Sequence, residues 1–159
     1  WQYGDMSSTW GGSAAQSTNS SIINLANNAY NWFNQNNNNY VAYSWVEIEG
    51  YSKIGSYVGN GDTDGPFVYC GFKPAWILIK WVDGSAAWVL HDSSRISTNP
   101  SSKALLPNDI GPELDAASLN IDFLSNGFKI RNTNASYNNA STYVFMAFAE
   151  SPFQTANAK

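Results

Sequence analysis

The sequence predicts an all-β protein: an antiparallel β-sandwich of jelly-roll or lectin-like kind, preceded by part of another such module. Three observations predict it. Seven or so short runs of alternating β-branched and aromatic residues recur between clusters of Gly, Asn, Asp and Pro. The helical crossovers that a parallel sheet needs are missing. One pattern also occurs twice, as YVAYSWVE from Tyr40 to Glu47 and as YVFMAFAE from Tyr143 to Glu150. The two copies lie about a hundred positions apart, roughly the length of one small β domain. The expected domains are therefore residues 1–50, the C-terminal part of a preceding module or linker ending in a β-strand, and residues 51–159, a complete sandwich. A start at Trp1 rather than Met fits an excised stretch of a longer, modular protein.

Residues 1–39 have the weakest pattern. Ser7 to Ser21 is rich in Ser, Gly, Ala and Thr, and Asn34 to Asn39 is nearly all Asn. Ile22, Ile23, Leu25, Ala26, Ala29, Tyr30, Trp32 and Phe33 have a partial helical spacing, and two apolar strands joined by polar turns fit as well. Asn is a poor helix former, which favours strand or irregular structure. Tyr40 to Glu49 alternates as a strand does, and Lys53 to Val58 follows as another, closed by the turn cluster Gly59-Asn60-Gly61-Asp62. Phe67 to Phe72 is the next. Pro74 then opens a strand through Trp76 to Val82, at the one strand position Pro tolerates well. Asp83-Gly84 turns it into Ala86 to His91.

Asp92 to Leu114 is a long connection with Pro100, Pro107 and Pro112; loops of that length are often functional. Ser118 to Leu124 and Gly127 to Arg131 form a hairpin around Ser125-Asn126. Asn132 to Ser141 is a polar loop, and Thr142 to Glu150 is the closing strand, with Pro152 beyond it.

Composition narrows the function. The hydrophobic share of 43% suffices for a core, and the charged share of 13% leaves solubility to Ser, Thr, Asn and Gly. The net charge is −4 and the eight Lys and Arg are scattered singly, which argues against phosphate neutralisation and nucleic-acid binding. No apolar run reaches the ~18 residues of a membrane span, so membrane insertion is not expected. Cys70 has no partner for an internal disulfide and sits in an apolar run, as a buried, inert thiol would.

The chemistry-bearing residues form no catalytic constellation. His91-Asp92-Ser93-Ser94 is not read as a triad, because strand neighbours point to opposite faces and rarely meet. Asp62-Thr63-Asp64-Gly65 resembles the opening of a calcium loop but lacks the further oxygen ligands, so a hairpin turn is expected and a loose surface calcium site is the alternative. Glu47, Glu49, Asp92, Asp109, Glu113, Asp115, Asp122 and Glu150 contain no pair marked by spacing for glycosidase work. Gly59-Asn60-Gly61 lacks the Walker lysine and helix of a phosphate cradle. No catalytic residue, metal or cofactor is expected.

The aromatics remain. Trp76, Leu78 and Lys80 share one strand face and Ile77, Ile79 and Trp81 the other; either face could be core. Exposed aromatics stack on sugar rings, and Trp81, Trp45 and Tyr137 are the candidate carbohydrate contacts.

GYSKIGSYVGNGDTDGPFVYCGFKPAWILIK (Gly50 to Lys80), HDSSR (His91 to Arg95), IDFLSNGFKIR (Ile121 to Arg131) and TYVFMAFAESPFQTANAK (Thr142 to Lys159) resemble a β module repeated in phage tail-fibre-like virion proteins, especially of aquatic bacteriophages. The resemblance covers about two thirds of the chain. It departs at Trp81, where a polar or basic residue is expected, and residues 1–39 match poorly. The resemblance implies a non-enzymatic structural or adhesion module on the surface of the phage particle. Its partners would be further copies of itself, a trimer being favoured, other virion proteins, and host surface glycans. Two alternatives stand beside it: a polysaccharide depolymerase or its accessory carbohydrate-binding domain, and a purely architectural capsid-decoration or filament subunit.

Overall fold

A computed structural model describes residues 15–18, 23–25, 37, 39, 41 and 43–150. Among them the chain forms eleven β-strands. These are β1 (Ala15–Thr18), β2 (Ile23–Leu25), β3 (Ser52–Val58), β4 (Phe67–Tyr69), β5 (Pro74–Trp81), β6 (Val89–Asp92), β7 (Lys103–Ala104), β8 (Leu114–Asp115), β9 (Ile121–Leu124), β10 (Gly127–Ile130) and β11 (Thr142–Ala149). A 3-10 turn at Ala117–Leu119 and a single helical turn, α1 (Ala135–Asn138), complete the set.

Four strands in the order β3-β11-β5-β6 form one antiparallel sheet, and three in the order β4-β10-β9 form another. The protein is all-β, and the two sheets share one core. Tyr57 and Phe145 of the larger sheet meet Phe128 of the smaller at ring-centroid distances of 6.2 and 5.4 Å. Alternation along each strand explains this packing, since successive side chains point to opposite faces. In β5, Ile77 and Ile79 are fully buried and Trp81 packs against the same cluster, so theirs is the core face. Trp76, Leu78 and Lys80 line the outer face.

The central β11 pairs on both sides, Tyr143 to Phe148 running opposite Tyr57 to Ser52 and opposite Trp81 to Trp76. Tyr143, Phe145 and Ala147 point inward and are buried. The helical turn α1 is tied to this sheet from within. Tyr57 donates its hydroxyl proton to the Tyr137 carbonyl (2.8 Å) and Tyr143 donates to the Ala135 carbonyl (2.6 Å). Asn134 caps α1 by accepting from the Ser136 N–H.

Several expectations need correction. Residues 43–47, within the expected strand Tyr40 to Glu49, lie outside any strand; only an isolated bridge joins Ile48 to Ser52. Apolar alternation alone does not make a strand when no neighbouring edge takes up its hydrogen bonds. The stretch Phe67 to Phe72 stops pairing at Tyr69, because Cys70 and Gly71 turn their N–H groups to the Asn126 carbonyl. The run Ala86 to His91 pairs only from Val89. The long connection 92–114 is not structureless: β7 lies in it and pairs with β8 at its end. The polar loop 132–141 contains α1. Of the stretch with two readings near the N-terminus, Ile23–Leu25 is strand and pairs with β1. Its other residues, like Ser7 to Ala14 and Pro152, lie outside the described residues.

Candidate functional site: an aromatic platform on the smaller sheet

Residues paired across a ladder project from the same face. Val68, Phe128 and Phe123 are cross-strand partners and all three face the core. The flanking rows therefore face outward: Phe67, Lys129 and Asp122 in one, Tyr69, Gly127 and Leu124 in the other. Phe67 is 45% exposed and Tyr69 63%. They stand two residues apart on β4, so their rings are roughly 7 Å apart along the strand. The other edge of β4 pairs with no described strand.

A missing side chain sets the position of these rings. A Cβ on Gly127 would lie 2.0 Å from the Val68 carbonyl oxygen and 3.2 Å from Phe67 Cε2. The backbone of β10 thus approaches β4 where no other residue fits, and Phe67 rests over it. Tyr69 leans toward Gly71, its hydroxyl 3.6 Å from where a Cβ there would sit. Phe67 rests on the β10 backbone, and both rings remain substantially exposed.

Polar groups border the platform. Lys129 Nζ lies 3.0 Å from Asp64 Oδ1 and donates to the Gly65 carbonyl at 2.9 Å. Arg131 reaches Asp64 at 3.4 Å and Asp122 at 3.0 Å. The Lys129 hydrogen bond and charge hold the Asp64 carboxyl below the usual carboxylate range. Asp62 closes a turn, its Oδ1 accepting from the Asp64 N–H at 2.8 Å. A turn is therefore present, but the expected hairpin is a correction: β3 and β4, on either side of it, belong to different sheets, and Asp64 is neutralised by two cationic side chains. Among the described residues no group of three or more His, Cys, Asp or Glu could hold a metal ion.

The three aromatics expected as contacts do not form one surface. Trp45 is exposed, 54% accessible and stacked on Tyr43 at 6.1 Å. Trp81 is a correction: it is partly buried on the core face, stacked on Tyr143 at 6.4 Å, with Nε1 donating to Ser141 Oγ at 2.8 Å. Tyr137 is a second correction. The loop that carries it coils into α1 and turns the ring inward, where it is fully buried with its hydroxyl 2.9 Å from His91 Nε2. Sequence reasoning passed over Phe67 and Tyr69, because both faces of Phe67-Val68-Tyr69-Cys70 are apolar and only the cross-strand packing of Val68 on Phe128 tells them apart.

Several of the remaining chemistry-bearing groups are engaged. His91 is buried against Tyr137, and Asp92 instead accepts from the Ser94 and Arg95 N–H groups and pairs with the Arg95 guanidinium. Glu113 takes Arg95 and Lys103, which hold its carboxyl low. A general acid needs the opposite shift. Burial pushes the Cys70 thiol up to about 12, as an inert thiol requires.

The family described as Domain of unknown function (DUF7483) matches residues 3–152, a span that crosses both expected domains. No curated protein and no solved structure matches the chain significantly.

Proposed function

The chain belongs to the DUF7483 family, a domain of unknown function, and on that premise we propose that it is a non-enzymatic structural and adhesion module of a phage tail-fibre-like appendage, contacting host glycans at the particle surface. The carrying observation is the platform of Phe67 and Tyr69: two open rings on a rigid sheet, bordered by ion pairs that present donors and acceptors. Sugar rings offer apolar faces to aromatic side chains and hydroxyls to charged edges. The sheet holds the rings in place, which lowers the ordering cost of binding. The non-enzymatic part rests on the pairing of Asp92 and Glu113 with cations. The modules would assemble as homo-oligomers, a trimer being favoured, alongside other virion proteins.

The architectural reading is favoured by a different surface. The outer face of the larger sheet carries Trp76, Phe148 and Tyr51, with Phe148 centred between the other two rings at 5.4 and 5.9 Å. Such a cluster also suits a subunit interface.

The deciding test is binding of the full chain to a panel of bacterial surface polysaccharides, with released reducing ends assayed in the same wells. Binding without release, weakened at least about tenfold in Phe67→Ser/Tyr69→Ser, supports the adhesin. Release of reducing ends overturns the non-enzymatic reading. Binding that survives the double substitution moves the site elsewhere, and self-association without glycan binding favours the architectural subunit.

A further inference from the structure

The exposed stretch before β3 has a structural equivalent inside the protein. Val41, Tyr43, Trp45 and Val46 are between 54% and 78% exposed. Yet YVAYSWVE matches YVFMAFAE of β11, the strand held between β3 and β5 in the larger sheet. The match follows the faces of β11 except at Ala42, which stands for the core residue Phe145. Ser44 stands where the fully buried Ala147 leaves little room. Val41 and Trp45 stand for the outward Val144 and Phe148.

The local geometry keeps this stretch from pairing with its own sheet. Glu49 and Gly50, the latter at φ 75°, turn the chain into β3, and Ile48 and Ser52 exchange backbone hydrogen bonds of 3.2 and 2.9 Å. A continuing hairpin would next pair Val46 with Ile54. Both partners are diverted. The Ile54 N–H donates to Glu47 Oε1 at 3.0 Å, and the Val46 carbonyl accepts from Ser52 Oγ at 2.9 Å. Lys53 holds the other Glu47 oxygen at 3.0 Å. A charged side chain at a sheet edge blocks further strand addition. The hairpin ends after one rung, and residues 43–47 lie outside any strand.

We propose that Tyr43–Glu47 belongs to a donor strand: it takes the place of β11 in a neighbouring domain of this same fold, lying between that domain's equivalents of β3 and β5. The partner is set by the match, since a stretch with the face pattern of β11 suits the gap between strands like β3 and β5. Each domain would then be completed by the chain that leads into the next, and successive domains would be joined by a shared sheet rather than by a linker. This inference is independent of glycan binding.

The test writes the stretch into β11 of the full chain. Met146→Tyr, Ala147→Ser, Phe148→Trp and Ala149→Val reproduce residues 43–46 there and keep Phe145 against Phe128. The control carries the same four residues in reverse: Met146→Val, Ala147→Trp, Phe148→Ser and Ala149→Tyr. The expected result is a cooperative thermal transition in the graft and none in the control. Graft amides over 144–149 should exchange at least about a hundredfold more slowly than those of residues 43–46 in the unaltered chain. A graft that melts like the control overturns the proposal. So does slow exchange at 43–46 in the unaltered monomer, which would show the stretch already paired at home.

Discussion

His91 Nε2 and the Tyr137 hydroxyl lie 2.9 Å apart in the centre of the sandwich, and neither side chain reaches solvent. This hydrogen bond fastens β6 to α1, and it makes the core sensitive to acid. Burial pulls His91 down to about 4, against smaller upward pushes from the Lys103 backbone and Asp92. The unfolded chain takes up a proton near pH 6.5 and the native chain does not. Stability is therefore full above about 6.5 and declines as pH falls toward 4, by about 3 kcal/mol in total. Carboxylates held low, such as Asp64 and Glu113, add their losses mainly below that window. Urea midpoints measured from pH 7.5 to 4 should show the slope, and His91→Gln should flatten it.

Gly127→Ala should destabilise by about 2–4 kcal/mol, because its Cβ meets the Val68 carbonyl oxygen at 2.0 Å. The strands β4 and β10 must part to admit it. Chemical denaturation gives the magnitude, and glycan binding should fall with it as Phe67 loses its support.

Asn138 is fully buried and joins three segments. Its Nδ2 donates to the carbonyls of Asp62 (2.6 Å) and Asn132 (2.9 Å), and its Oδ1 accepts from the Asn60 N–H (2.8 Å). Asn138→Ala should cost about 2–4 kcal/mol by leaving these groups unpaired. Asn138→Asp should be no better at neutral pH, since a carboxylate cannot donate to two carbonyls. Thermal melts of the two variants check both statements.

Trp81→Ala should cost about 2–4 kcal/mol through lost packing on Tyr143 and the lost bond to Ser141. Trp81→Phe should recover most of that and bind glycans as the unaltered chain does. A Trp81→Phe variant that keeps its melting temperature and loses binding would return Trp81 to the ligand site.

Cys70 should resist thiol reagents at pH 8 in the native state and react at once in denaturant, being buried with its thiol pushed up to about 12. A timed thiol titration decides it.

The sandwich was legible because its strands obey a period of two and end at turn residues: Lys53 to Val58 closed by Gly59-Asn60-Gly61, and β9 and β10 around Ser125-Asn126. Whether an apolar alternation becomes a strand depends on a partner distant in sequence. Thr142 to Ala149 finds β3 and β5; Tyr43 to Glu47, with a similar apolar alternation, finds neither. The site was less legible for a related reason. Tyr137 looked exposed in a polar loop, yet the Asn134 cap, which accepts from the Ser136 N–H, and the Tyr137 bond to His91 coil that loop inward. Phe67 and Tyr69 carried no mark of exposure in the sequence; Val68 takes the core face against Phe128, which turns them out.

The inner position of β11 also bears on how the protein is made. Its partners β3 and β5 precede it by some sixty to ninety residues, so pairing must wait until residue 149 has left the ribosome. Until then two apolar strands stand with their edges open, and closing so long a loop is slow. Synthesis rate and chaperone protection should limit the yield of native protein, and a ribosome stalled within residues 131–141 should release an aggregation-prone chain.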